Sequence, residues 1–235
     1  NRVAHVLCEV EGRNTAPALA AALHAAKTLY PEENEKHFLV LPADHHIPDI
    51  QAFNNTVQMA KPAVRNGSIM TFGIQPQSPH TGFGYIQSGS ELENCYKVLS
   101  FKEKPDVQTA QSYIDQGQYY WNAGIFMTSG AAFEAEMQRL HPKTLQNSQH
   151  AWENAKEDLN DYILNPNDFS KAESISIDYA VMEHCPGVMS IKMVALDAGW
   201  SDLGSWDAVW QALEKDPKGN AWIGDVIVSE STNNL

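Results

Sequence analysis

The chain has few cysteines and no long apolar run. Its three cysteines, Cys8, Cys95 and Cys185, lie far apart and form no CxxC pair. This spacing argues against a disulfide framework or a zinc knuckle, so we expect a reducing, cytoplasmic setting. No apolar stretch approaches the roughly 20 residues that a helix needs to cross a bilayer, so we expect no membrane partner.

Basic charge is also scarce, and the formal net charge is −13. A protein that coats nucleic acid needs a basic surface, so this function is excluded. A small phosphorylated ligand remains compatible, because a metal ion and a few lysines or arginines can reverse the field inside one cleft. The 235 residues, 43% of them hydrophobic and 19% charged, suffice for a globular chain with a sizeable core.

Strand-like and helix-like segments alternate along the chain. The strand-like segments are VAHVLCEV, HFLVL, SIMTFGI, GFGYIQ, YKVLSF, NAGIFM and MSIKMVAL. Helical patterns separate most of them, which predicts an α/β sheet with helices on both faces. GFGYIQ and YKVLSF follow each other across a polar SGSELEN turn, and they add an antiparallel part to a mixed, mostly parallel sheet. Residues 142–184 are expected to be mostly helical, and the final IGDVIVSESTNNL resembles a further strand.

Two strands end in carboxylates. HFLVL stops at Pro42 and is followed by Asp44, and MSIKMVAL leads into DAGWSDLGSW with Asp202. Ligands of open α/β sheets bind beyond the carboxyl ends of the strands. Two carboxylates from separate strand ends suit Mg²⁺, which prefers oxygen ligands. The alternative for Asp44 is a helix cap or a loop turn, and for DAGWSDLGSW a tight turn with buried tryptophans.

Asp44 is followed by His45 and His46, which raise the question of zinc. Adjacent residues cannot easily place both rings on one ion, and no Cys or His cluster supplies further ligands. We expect one ring to orient Asp44 or contact substrate and the other to pack.

A helix N-terminus follows the first strand at EGRNTAPA. Its free N–H groups and partial positive charge favour anions. Asn14 and Thr15 can contact a base edge or a ribose hydroxyl there, or they can simply cap the helix.

Four further segments carry weaker signals for a sugar. In FKEKP, Glu103 can bind sugar hydroxyls and Lys104 a phosphate; in NAGIF, Asn122 follows three aromatic residues. Gly84 in GFGYI permits close backbone approach, and Asp178 lies on a short helix in SIDYAVME. On composition alone, FKEKP is more often a solvated strand end, and a buried turn would have the same pattern as NAGIF. Each of the four signals is weak when taken alone.

In this order, EGRNTAPA, LPADHHI, GFGYI, FKEKP, NAGIF, SIDYAVME and DAGWSDLGSW resemble the bacterial mannose-1-phosphate guanylyltransferases, including the bifunctional phosphomannose isomerase type. The resemblance covers the chain from about Val3 to its end. It implies a Rossmann-like nucleotidyltransferase fold and the reaction of GTP with mannose 1-phosphate to give GDP-mannose and pyrophosphate.

The resemblance also implies a role for each motif residue. Asp44 and Asp202 would hold Mg²⁺, with Asp44, Asn14 and Thr15 on the nucleotide side. The sugar pocket would be lined by Gly84, Glu103, Asn122 and Asp178, with Lys104 next to a phosphate. Residues 1–215 would form the nucleotidyltransferase domain, and 216–235 would begin a linker or a C-terminal domain.

The chain lacks one important feature of the family. Its enzymes begin with a strand and a Gly-rich loop that carries Arg and Lys and cradles the triphosphate, and no such run occurs in this sequence. We therefore expect an internal segment of a longer protein, inactive or nearly so when isolated. Three alternative functions stay open: a sister enzyme for another sugar 1-phosphate or nucleotide, a metal-dependent glycosyltransferase, and a non-catalytic binding homologue. Association into a homo-oligomer also stays open.

Overall fold

The structure is a computed structural model that describes residues 4–33, 35–159, 161–184 and 191–235. Cys185 and the start of MSIKMVAL lie outside the described residues. The strands are β1 (Val6–Cys8), β2 (His37–Val40), β3 (Ile69–Ile74), β4 (Tyr85–Leu92), β5 (Cys95–Lys102), β6 (Tyr119–Ser129), β7 (Lys156–Asp158), β8 (Asp161–Ile163) and β9 (Ile191–Ala195). The helices are α1 (Thr15–Leu29), α2 (Ile50–Arg65), α3 (Val107–Gln116), α4 (Gly130–Leu140), α5 (Pro142–Glu153), α6 (Pro166–Phe169), α7 (Ile177–Ala180) and α8 (Trp206–Ala212), with a 3₁₀ turn at Met182–His184.

Short polar side chains begin the helices. Asp49 accepts a hydrogen bond from the Ala52 amide at 2.8 Å and caps α2, and Asp106 caps α3 in the same way. Such caps satisfy amides that the first helical turn leaves without a partner. At the other end of α3, Gly117 has a left-handed φ of 71°, a conformation that favours glycine.

The main sheet has six strands in the order β2-β6-β3-β9-β5-β4, and β6 also pairs with β4. β3 and β9 run parallel, while the other pairings in this sheet are antiparallel. The expectation of a mostly parallel sheet is therefore wrong, although the sheet is mixed. The reason is β6, whose 11 residues run antiparallel to three different neighbours.

Helices cover both faces of this sheet, as the alternation of segments predicts. Successive residues of a strand point to opposite faces, so Ile69 packs with α1, α4, α5 and α7 while Met70 packs with α2. β1 joins β8 and β7 in a separate three-stranded sheet beside α5 and α6. β2 is the strand at one edge of the main sheet, and its end therefore lies between the two helical layers.

Three segments differ from the sequence-based expectations. β4 extends through most of the SGSELEN segment, and β5 begins directly after it at Cys95, so the hairpin turns only at Glu93 and Asn94. β7 and β8 interrupt the stretch expected to be helical. Residues 224–235 form no strand, because none of the described strands pairs with them and Ile227 stays 97% exposed.

Within the described ranges, none of the helices combines the length and the apolar character that a membrane crossing requires.

Candidate functional site

The two acidic loops lie side by side. The His46 amide donates to the Ser201 carbonyl at 2.8 Å, and the Ser201 amide donates back to the His46 carbonyl at 3.0 Å. The segments are antiparallel at this bridge, so residues before His46 and after Ser201 lie on the same side of it. Asp44 and Asp202 occupy those positions. The backbone thus brings together the two loops predicted to meet.

A side-chain contact reinforces the bridge. The Trp200 indole N–H donates to His45 Nδ1 at 3.0 Å, and the two rings meet edge to face at 5.3 Å. Asp202 accepts a hydrogen bond from the Gly204 amide at 3.1 Å, which holds its carboxylate within its own loop. His45 therefore packs against the opposite loop, and His46 contributes its backbone.

The donors fit a hard cation that takes few ligands from the protein. Asp44 is exposed and Asp202 half-buried, so both carboxylates remain within reach of a ligand. Across the four described ranges, no group of three or more His, Cys, Asp or Glu side chains is arranged to hold a metal. Mg²⁺ often takes one or two carboxylates and completes its shell with water and phosphate oxygens. The pair suits that ion, and it does not suit an ion that needs a full protein cage.

Asn122 is the centre of a second polar cluster. Its side-chain amide donates to Asp178 Oδ1 at 2.8 Å, and its oxygen accepts from Thr71 Oγ1 at 3.1 Å. The same oxygen accepts from the Gly124 amide, and the Asn122 backbone amide donates to the Gly84 carbonyl at 2.8 Å. Residues that are far apart in sequence are therefore held in one rigid arrangement.

Glu103 faces this cluster and has unused bonding capacity. Its side chain is 13% exposed, and its Oε2 is buried without a hydrogen-bond partner. A Cβ on Gly84 would stand 2.5 Å from that oxygen, so only glycine leaves it room. Lys104 Nζ lies 3.8 Å from the other carboxylate oxygen, and the Lys104 amide donates to the Phe83 carbonyl at 3.2 Å. An unsatisfied buried acceptor is costly, which favours a ligand that donates to it.

The carboxylates of this cluster are hard to ionise. Burial, and next the negative charge of Asp178, raises the pKa of Glu103 above its ordinary value, while Lys104 partly opposes the shift. Burial also raises the pKa of Asp178, against the hydrogen bond from Asn122. Shifted carboxylates of this kind are typical of functional sites, although structural clusters can produce them as well.

The start of α1 has a strained backbone. Asn14 has a φ of 66°, which is unfavourable for a residue with a side chain, and its Oδ1 accepts from the Thr15 amide at 2.9 Å. Thr15 Oγ1 accepts from the Ile177 amide at 2.9 Å. Both residues are exposed. Asn14 is therefore the cap, and Thr15 joins α1 to the helix that carries Asp178.

A cleft of about 460 Å³ is lined by Trp200, Phe83 and Trp121. Phe83 and Trp121 directly precede Gly84 and Asn122 in the sequence. Phe83 stacks on His80 at 4.0 Å and meets Trp121 and Trp200 edge to face. Asp202 also lines the cleft. Aromatic faces beside carboxylates suit a hexose or a base.

Sequence reasoning missed two polar residues of the Asn122 cluster. Glu183 Oε1 accepts from the Glu103 amide at 3.4 Å, and Thr71 is completely buried while it donates to Asn122. The signal for Thr71 was a hydroxyl inside the apolar strand SIMTFGI. Glu183 stands in SIDYAVME, five positions after Asp178, and nothing local distinguished it from a solvated acid.

Comparison with known proteins defines the class. The family model described as Nucleotidyl transferase matches residues 3–219. The chain belongs to this family, and the predicted nucleotidyltransferase fold is confirmed.

The relatives narrow the identification. The chain is 42% identical over 229 residues to the xanthan biosynthesis protein XanB of Xanthomonas campestris pv. campestris, with 97% of this chain and 47% of that protein covered. It is 40% identical to a mannose-1-phosphate guanylyltransferase of Klebsiella pneumoniae, with 97% and 48% covered. The solved mannose-1-phosphate geranyltransferase of Thermus thermophilus shares 29% identity and a TM-score of 0.77, over 92% of this chain and 60% of that one.

These matches confirm the resemblance inferred from the motifs. The chain spans about half the length of the curated relatives it matches. The roles of the individual site residues and the boundary after residue 215 stay predictions.

Proposed function

We propose that the protein carrying this chain transfers a guanylyl group from GTP to mannose 1-phosphate, giving GDP-mannose and pyrophosphate. The observation that carries the proposal is the Asn122 cluster, in which Gly84, Glu103 and Asp178 are brought together around one side-chain amide. The names of the relatives support the choice of reaction and of sugar.

The reaction needs positioning more than an activated side chain. A phosphate oxygen of mannose 1-phosphate is already ionised and forms a bond to the α-phosphorus of GTP. The bond from that phosphorus to the bridging oxygen breaks, and pyrophosphate leaves with the electron pair. Alignment of these groups and stabilisation of the developing charge supply the acceleration.

Each cluster has a part in this alignment. Glu103 and Asp178 accept hydrogen bonds from sugar hydroxyls, and Lys104, exposed beside them, meets the sugar phosphate. Asn14 and Thr15 lie on the nucleotide side. Asp44 and Asp202 would hold Mg²⁺, which when bound neutralises charge on the triphosphate.

The cellular setting and assembly belong to the same proposal. Cys8 and Cys95 are free thiols, which fits a reducing cytoplasm. Association into a homo-oligomer stays open.

The first test measures GTP binding with and without Mg²⁺ by calorimetry. We expect Asp202→Ala to weaken Mg²⁺-dependent binding at least about tenfold, because a carboxylate ligand is lost. Asp115→Ala is the matched control, since Asp115 is an exposed acid on α3. GTP binding that is unaffected by removal of Mg²⁺ and by Asp202→Ala would refute the proposed metal-binding role of Asp202.

The second test measures product formation. GTP and mannose 1-phosphate should yield GDP-mannose and pyrophosphate in equal amounts, with other sugar 1-phosphates and nucleotides as competitors. If another nucleotide and sugar 1-phosphate are preferred, that pair replaces GTP and mannose 1-phosphate in the proposal. Binding without turnover by the full-length protein would favour a non-catalytic homologue.

A further inference from the structure

Hydrogen bonds made by α7 and by the residues just before it connect the start of α1 to the sugar pocket. The Ile177 amide at the start of α7 donates to Thr15 Oγ1 at 2.9 Å, and the Ala16 amide donates to the Ile175 carbonyl at 3.2 Å. One residue further along α7, Asp178 accepts from the Asn122 side chain at 2.8 Å.

The partners at both ends of this series are fixed. Asn14 holds the α1 terminus through its cap on the Thr15 amide. Asn122 is fixed by Thr71, whose side chain is fully buried. α7 is only four residues long and has its own cap, Ser176, which accepts from the Tyr179 amide at 3.3 Å. So short a helix makes few stabilising contacts of its own, and its position depends on those it makes with neighbouring elements.

We propose that Thr15 is a positioning residue for the sugar pocket, which it serves by holding α7 so that Asp178 meets Asn122. This inference rests on the proposed function and changes the part of Thr15 within it. The hydroxyl that the sequence motif places on the nucleotide side accepts a hydrogen bond from α7, the helix that carries Asp178. Binding of nucleotide at the α1 terminus and binding of sugar phosphate beside Asp178 are thereby mechanically connected.

The test compares Thr15→Val with Thr15→Ser in the full chain. Valine has the shape of threonine and lacks the acceptor, so the Ile177 amide loses its partner, whereas serine keeps the hydroxyl. We expect Thr15→Val to weaken mannose 1-phosphate binding roughly 5- to 20-fold, the effect of losing one partly buried hydrogen bond. Thr15→Ser should stay within about twofold of wild type. The Asn122 side-chain amide signal in NMR should shift in Thr15→Val without any ligand.

Ser129→Ala is the matched control for lost stability. Ser129 caps α4 through the Ala132 amide at 3.1 Å and lies at the end of β6, seven residues beyond Asn122. The control should lower the unfolding midpoint and leave sugar binding intact. Equal loss of sugar affinity in Thr15→Val and Ser129→Ala would overturn the proposal, and so would a loss confined to GTP.

The two proposals fail in different ways. If wild type binds no mannose 1-phosphate, the proposed reaction is wrong and the sugar role of Thr15 falls with it. If wild type binds the sugar phosphate and Thr15→Val binds it equally well with an unshifted Asn122 signal, only the positioning role is wrong.

Discussion

The indole N–H of Trp200 donates to Nδ1 of His45 at 3.0 Å, and this bond joins the loop of Asp44 to the loop of Asp202. It gives a role to one of the two histidines that follow Asp44. One imidazole accepts from the opposite loop, and His46 contributes the backbone bridge to Ser201.

The first prediction concerns this bond. Trp200→Phe keeps an aromatic ring and removes the donor, so the two acidic loops are held less firmly. We expect Mg²⁺-dependent GTP affinity to fall about fivefold, in line with the loss of one hydrogen bond. Calorimetric titration checks the effect. Trp206→Phe is the control, because Trp206 is 81% exposed, and equal losses in both variants would contradict the assignment.

The second prediction is that replacing Glu103 by glutamine stabilises the folded protein. Glu103 has a raised pKa because of burial and the charge of Asp178. The folded state therefore binds this proton more tightly than the unfolded chain. The stability is greatest below the ordinary glutamate pKa and falls as pH rises through the window up to the raised folded value.

Glu103→Gln removes that ionisation. We expect the variant to be more stable than wild type at neutral pH by about 1 kcal/mol, and its stability to vary less with pH above the ordinary glutamate value. Urea unfolding at several pH values measures both. Glu91→Gln, an exposed site on β4, provides the comparison. A Glu103→Gln protein that is less stable at neutral pH would show that the carboxylate has a structural role.

The pH dependence of sugar binding is the third prediction. An ionised carboxylate can accept hydrogen bonds from hydroxyls on both oxygens, and its protonated form loses part of that capacity. Because its pKa is raised, affinity for mannose 1-phosphate should begin to fall during acidification at a pH above the ordinary glutamate value.

The ligand phosphate also titrates, so the useful quantity is the ratio of wild-type to Glu103→Gln affinity. This ratio cancels the contribution of the ligand and should decrease as the pH falls. A ratio that is constant across the acidic range would mean that Glu103 does not bind the sugar.

Local chemistry made part of this architecture predictable. Asp106 and Gly117 bound α3 as their residue types predict, and alternating segments gave the two helical layers. Long-range pairings could not be derived in this way. The Thr15–Ile177 bond joins residues 162 positions apart, and the Asn122–Asp178 bond spans 56. The directions of the paired strands could not be predicted from the sequence either, because they depend on which neighbours β6 meets after folding.

The fourth prediction concerns Gly84. A Cβ at this position would stand 2.5 Å from Glu103 Oε2 and 3.3 Å from the Asn122 Cβ and Phe101 Cζ. The closest atom is the end of a flexible side chain, so Gly84→Ala should fold, with Glu103 displaced from the pocket. We expect mannose 1-phosphate affinity to drop at least about tenfold, with only a modest change in the unfolding midpoint.

Gly12→Ala separates this effect from the general consequence of replacing a glycine. An added Cβ at Gly12 meets no atom within 4 Å, so the variant should bind sugar phosphate like wild type. Calorimetry on both variants, together with thermal unfolding, distinguishes displacement of Glu103 from loss of the fold. If Gly84→Ala retains full affinity while Glu103→Gln loses it, then Glu103 reaches the sugar by a rotamer that does not approach Gly84, and the close contact between them is not required for binding.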